Sequence, residues 1–390
     1  MNNWIDRRWI PVFLLFFLLL NAPVNVTAAE ENTQELGQIR KQTEEKILEE
    51  LNFSEIDDSL KKLFPDQKIS FREVLNAMIS GNLEETGSLL IQYLKDQFTY
   101  EFHNNRRNLV YMLLIAIVAA IFTNFSSALQ NRQVSEISFY VLYMLLITMC
   151  LTSFKVAMTG MESRIGQVLD FMKVLCPGYF MAVAIAAGSS SSLMFYNLVL
   201  FLIYVAEALI LNFLLPVINI YIMLQVMNYL LGEDPLSEFA ELIRKFISWI
   251  LKTLVGCVIG MNVIQAMLAP AIDTVKRSVL TKTVEAIPGI GNTFGGITDV
   301  VLGTAVLIKN GIGMAGAVIL ILVSTVPVIQ MALLTLMYKL GAALVQPVSD
   351  KRITGCIRSV SEGYELMLQV LFTTLLLFLL TIAVVAASTS

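Results

Sequence analysis

The sequence predicts an all-α fold: a polytopic helical membrane protein of about nine or ten transmembrane segments, with a parallel internal repeat and a small helical N-terminal extracytoplasmic domain. Three observations carry that reading. The chain is 390 residues long, 56% hydrophobic and only 15% charged, with a mean hydropathy of +0.70, whereas a soluble domain is roughly 45–50% apolar and about 25% charged. Several runs reach the ~18–20 apolar residues that cross a bilayer. The charge is also segregated: residues 29–108 hold 16 of the 31 acids but 10 of the 27 lysines and arginines, a local net charge of −6.

The N-terminus, residues 1–28, has the layout of a signal peptide. Arg7 and Arg8 precede an apolar core from Trp9 to Leu20, and Val26-Thr27-Ala28 supplies small residues for cleavage. An uncleaved first membrane helix is the alternative. Both place residues 29–108 outside the cytoplasm. There, Leu36, Ile39, Ile47, Leu48 and Leu51 fall near one helical face. Ser70 and Glu73 form a capping box that predicts a helix from Phe71. A third helix runs from Leu89 to Phe102. The competing reading is a solvated acidic tether. His103, the one histidine, has no cysteine near it, so no metal site is expected.

Membrane segments are expected at 109–129 and 137–154, a hairpin covering 109–154. Lys155–Lys173 mixes charges with apolar residues in the manner of an interfacial helix. Then come 174–188, two spans within 193–231 with a bend near Pro216, and 246–269, whose Gly256-x-x-x-Gly260 allows close helix approach. Further spans are expected at 311–329, 330–348 and 366–387.

A repeat underlies this order. Pro177 and Pro216 are 39 residues apart, as are Pro288 and Pro327, and the offset between the pairs is 111. Ala206-x-x-Leu-Ile-Leu211 matches Ala317-x-x-Leu-Ile-Leu322 at the same offset. The copies would be residues 155–269 and 270–390. Such repeats occur in transporters, with sites at their interface.

The copies diverge where Gly291–Asp299, rich in glycine and polar residues, stands in place of the apolar Phe180–Ala187. Pro288, Gly289, Gly291, Gly295 and Gly296 are expected to break the backbone there, followed by Asp299, Gly303 and Lys309. Gly313 and Gly316 are placed for close packing. Polar groups at membrane depth face a bundle interior or a hydrated path. The candidate membrane-embedded polar residues are therefore Asp299, Lys309, Glu207 and Lys339. The bland alternatives are that Asp299 caps a helix, Lys309 snorkels and Glu207 bonds a neighbouring span. Asp299 and Lys309 are about 15 Å apart on a continuous helix and pair only if the segment folds back.

Pro288-x-x-Gly291, Asp299-x-x-x-Gly303, Leu307-Ile-Lys-Asn310, Gly313-x-x-Gly316 and Tyr338-Lys-Leu-x-Ala-Ala-Leu-x-Gln-Pro347, followed by Asp350, resemble the stage III sporulation protein AE family. The resemblance implies a protein of the mother-cell-derived membrane around the forespore. It also implies partners: sister proteins of the same assembly and a forespore membrane protein, joined in a channel or feeding apparatus that forespore development requires. It attaches no reaction.

The residues offer none either. There is no phosphate-binding loop, and Gly289-x-Gly291-x-x-Phe294 misses the dinucleotide fingerprint. Ser189–Ser192 have no histidine partner for nucleophilic catalysis. Cys150, Cys176, Cys257 and Cys356 lack metal-type spacing. No enzyme, cofactor, metal or nucleic-acid partner is expected. A secondary transporter or permease for a small solute remains the alternative function.

Overall fold

The computed structural model describes residues 33–51, 53–63, 70–80, 83–128, 132–187, 189–231, 235–284 and 291–388. The predicted signal peptide, Pro288 and Gly289 lie outside the described residues. Among those described there are helices and turns and no strand. In order they are α1 (Thr33–Glu50), α2 (Ser54–Leu63), α3 (Phe71–Ser80), α4 (Leu83–Ala128), α5 (Arg132–Ala187), α6 (Ser189–Leu209), a π-helical turn (Ile210–Leu214), α7 (Leu215–Leu231), α8 (Ser237–Val284), α9 (Gly291–Val345) and α10 (Lys351–Ser388).

Helix α3 begins at Phe71, where the capping box predicts it. The cap is tertiary, however: the Phe71 N–H donates to Asp57 Oδ1 of α2 at 2.7 Å. Leu51, Ile56, Leu60, Phe71 and Leu75 are almost fully buried, and the Phe53 and Phe71 rings lie 5.2 Å apart. The N-terminal helices do not stand apart from the rest. α1 and α3 pack on α9, and α2 packs on α5. The charges Glu45, Glu49, Asp58, Lys61, Lys62 and Arg72 remain on their exposed side.

The remaining helices are long. α5 has 56 residues and α9 has 55, each about 80 Å at 1.5 Å per residue, against a hydrocarbon core of about 30 Å. Among the described residues, four stretches are long and apolar enough to cross a membrane: Tyr140–Ala186, Tyr196–Leu230, Val300–Val345 and Lys351–Ala386. The expected spans therefore merge. Segments 137–154 and 174–188 lie on one helix, and Lys155–Lys173 is its charged middle rather than a separate interfacial helix. A straight helix of that length cannot hold both apolar stretches inside one bilayer core. Segments 311–329 and 330–348 likewise share α9. An apolar backbone satisfies its hydrogen bonds within the helix, and Ile329-Gln330 offers no turn residue to stop it.

The prolines do not reverse the chain. Pro177 and Pro327 sit inside α5 and α9. Pro216 lies in the first turn of α7, directly after the π turn. A proline removes the bond to the carbonyl four residues back, here that of Asn212, and the π turn absorbs the mismatch. Gly295, Gly296 and Gly303, expected at a broken segment, lie within continuous α9. The two stretches offset by 111 residues consequently differ in shape. Residues 189–231 start a new helix after a chain reversal following Ala187, while 291–345 run without interruption. The serine run at 189–192 favours a cap over a helix interior; the matching stretch has none.

The chain turns sharply at 346–350, so α9 and α10 form an antiparallel hairpin with the most extensive helix contact in the protein. Ser361 Oγ donates to the Thr335 carbonyl at 3.0 Å, and Lys309 reaches Ala386 at the far end. α5 packs along both helices, α4 against α5 and α9, and α7 and α8 against α10.

Candidate functional site

The α9–α10 hairpin and Arg244 of α8 border a crevice of about 520 Å³, lined also by Lys339, Gln346, Arg358, Glu362 and Glu365 with Ala342 and Ala343. Lys339 Nζ donates to Glu365 Oε2 at 2.9 Å. The Glu365 side chain is 12% exposed and that of Lys339 49%. With Ser361 set against Thr335, Lys339 lies one turn nearer the α9–α10 turn and Glu365 one turn farther from it. Both side chains extend along the bundle axis to meet.

A second link crosses from α8. Arg244 Nη1 lies 3.5 Å from Glu362 Oε2, and the same oxygen accepts the Tyr221 hydroxyl of α7 at 2.7 Å. Gln225 donates to Tyr221 at 3.4 Å. Arg358 is exposed on the crevice wall and makes no ion pair among the described residues. Three cations thus face two carboxylates, an arrangement that attracts anions and locks four helices together. Behind it lies an aromatic floor: Tyr364 stands edge-on to Tyr338 at 5.1 Å and 5.5 Å from Phe154, and its hydroxyl is 3.3 Å from Ser153 Oγ.

Of the sequence-predicted polar residues, only Lys339 belongs to this crevice. Lys309 is fully buried at the opposite end of the α9–α10 hairpin and donates to the Ala386 carbonyl at 3.2 Å. It does not snorkel, because α3, α5 and α10 close around that part of α9. Beside it, Tyr179 donates to the Ile382 carbonyl at 3.3 Å. Glu207 pairs with Lys173 of α5 at 2.8 Å, and Lys173 also lies 3.5 Å from Asp170. Asp299 occupies α9 ten residues before Lys309. The segment does not fold back between them.

The glycines divide. A Cβ on Gly316 would stand 2.6 Å from Leu175 Cδ2, and one on Gly313 3.0 Å from the Tyr179 hydroxyl, so α9 approaches α5 closely at both. Among the described residues, Gly256 and Gly260 meet no atom within 4 Å. The expectation of close approach there is corrected: they face away from the described helices that α8 packs on. A contact that sequence reasoning missed is Gly363, where an added Cβ would overlap Ile222 and come within 2.7 Å of Phe154.

Arg244, Arg358, Glu362 and Glu365 were also missed, since along the chain they stand as loop or flank charges. The available signal was spacing: Arg358, Glu362 and Glu365 recur at four and three residues, one face of a helix.

The family model for stage III sporulation protein AE matches residues 69–389. The stage III sporulation protein AE of Bacillus subtilis (strain 168) is 26% identical over 388 residues, covering 97% of each chain. No solved structure matches.

Proposed function

The chain belongs to the stage III sporulation protein AE family, and from that premise we propose that it is the membrane-embedded assembly component of a channel or feeding apparatus joining mother cell and forespore. In this reading it lies in the mother-cell-derived membrane around the forespore, with its N-terminal helices outside the cytoplasm. Sister proteins of the stage III assembly and a forespore membrane protein are its partners. A role in sporulation follows from the family.

The observation that supports it is the seating of α1–α3 on α5 and α9. A charged outer surface is thereby tied to the longest helices of the membrane body, a geometry suited to passing a docking event into the bundle. The intramembrane charges also serve the scaffold: Lys309 holds α10, Lys173 holds Glu207, and Lys339 holds Glu365.

Deleting residues 29–108 is a poor test, because it would uncover the buried face of α9. Reversing the exposed charges Glu45, Glu49 and Glu50 of α1 keeps the fold. Sporulating cells carrying that variant should hold normal membrane levels of the protein, fail to co-purify the sister proteins and lose spores. Normal spore yield with normal co-purification would overturn the docking role.

A second reading, a permease for a small anionic solute, is favoured by the crevice at Lys339. Its expected signature is an Arg358→Gln protein that assembles with its partners yet fails to support development.

A further inference from the structure

Apart from the crevice, the protein has a larger cleft of about 910 Å³ between α4, α5 and α9. We propose that this cleft binds one molecule of an acidic phospholipid, with its headgroup held between Arg107 and Lys155.

The cleft has two unlike ends. One is apolar, walled by Tyr111 and Leu114 of α4 and by Met144 and Leu145 of α5. These four belong to an exposed apolar belt that continues through Val110, Ile117 and Ile121 on α4 and Ile137 and Val141 on α5, each 45–66% exposed. Water does not favour so large a contiguous apolar surface, and in a membrane protein acyl chains cover it. The other end is polar, with Asn104 and Asn105, Ser153 and Gln330.

Cations stand at the polar end. Arg107 lies one turn before Tyr111 and two before Leu114, so it shares their face of α4. Lys155 lies three residues after Thr152 and seven after Thr148, both cleft-lining, so it stands on the matching rim of α5. Both are exposed. Arg106 and His103 lie next to them, with Arg106 Nη2 3.2 Å from His103 Nε2. The one carboxylate on the adjoining turn of α4, Glu101, is buried and already accepts from Gln97 and Asn105. An elongated apolar slot opening onto the bilayer and ending in unneutralised bases fits an acyl chain joined to an anionic headgroup. Basic residues just beyond a span attract such headgroups. A second copy of the chain would cover the apolar end and leave the cations without counter-charge.

The test uses the full chain, equilibrated with vesicles of equal phosphatidylglycerol and phosphatidylcholine, extracted in neutral detergent and scored by mass spectrometry for lipid per protein. The wild type should retain phosphatidylglycerol several-fold over phosphatidylcholine. Thr148→Trp, which fills the cleft from an exposed position, should lose most of that lipid. The double variant Arg107→Gln/Lys155→Gln alters the surface alone and keeps the test valid if the tryptophan variant misfolds. It should retain the two lipids about equally. The proposal fails if the wild type shows no preference, if the double variant keeps the wild-type preference, or if a folded Thr148→Trp protein retains as much lipid as wild type. It fails also if the variants change particle size rather than lipid content, since the cleft would then be an interface between copies.

Discussion

Lys309 Nζ donates to the Ala386 carbonyl at 3.2 Å, tying the first half of α9 to the last turn of α10 across 77 residues of sequence. Helix C-termini carry carbonyls without intrahelical partners and partial negative charge, so a lysine amine there both satisfies and complements them. The same end is held by Tyr179 on Ile382.

The first prediction concerns that joint. Lys309→Ala removes both the donor and the packed side chain and should lower membrane level and melting temperature, on the order of the 2–5 kcal/mol typical of large-to-small changes in cores. Lys309→Met keeps most of the volume and should recover most of the loss, because well-packed apolar replacements of buried ions are often neutral. Melting of the three purified proteins in detergent decides it; equal loss for Met and Ala would make the amine, not the packing, the source of stability.

The Lys339–Glu365 pair allows a swap. Each single reversal, Lys339→Glu or Glu365→Lys, places like charges together beside a mostly buried carboxylate or its replacement. The double reversal restores an opposite pair. A double-mutant cycle should return a favourable coupling of about 1 kcal/mol, the upper part of the range for partly exposed pairs. Additive single effects would show that the 2.9 Å contact contributes nothing in the membrane.

Glycine packing separates two helices. Gly316→Leu must displace Leu175 from a position 2.6 Å from the new Cβ, and overpacking of this kind costs roughly 1–3 kcal/mol. Gly256→Leu meets open space and should be neutral. Membrane abundance of the two variants checks this: equal accumulation of both would remove the tight α5–α9 contact.

Glu101 gives a pH dependence. It is 5% exposed, and burial raises its carboxyl pKa above the ordinary value, against the opposing pull of Asn105, Arg164 of α5 and Gln97. The folded state therefore binds this proton more tightly than the unfolded state. Stability rises as pH falls from above the raised pKa to the ordinary carboxylate range, and the burial cost is fully present above that window. Glu101→Gln should melt higher than wild type at neutral pH, with the gap closing as the pH is lowered through the window. A constant gap across pH would mean the benefit is not protonic.

Composition and run length were enough to reveal a helical membrane protein, and the motifs from Pro288 to Asp350 were enough to reveal its family. The start of α3 at Phe71 was legible, but what caps it was not: the Phe71 N–H is held by Asp57 of α2, fourteen residues away. The sequence did not reveal where apolar helices stop. A bend was expected near Pro216 and a boundary after Ile329, yet a helix tolerates proline when neighbouring helices and a π turn absorb the lost bond, and α9 runs through 329–330 without a break.

Partnership was likewise invisible. Glu207 and Lys173, Lys339 and Glu365, and Arg244 and Glu362 meet on different helices at separations that no local spacing encodes. Lys309 reads as a snorkelling lysine until α3, α5 and α10 are seen to surround it. By itself the sequence determined the class, the family and the helical state of the chain, because hydropathy and backbone satisfaction depend on composition along a segment. The tertiary structure alone decided which charges are buried, which glycines are contacts and where the crevice and cleft lie, because those depend on which faces of separate helices are brought together.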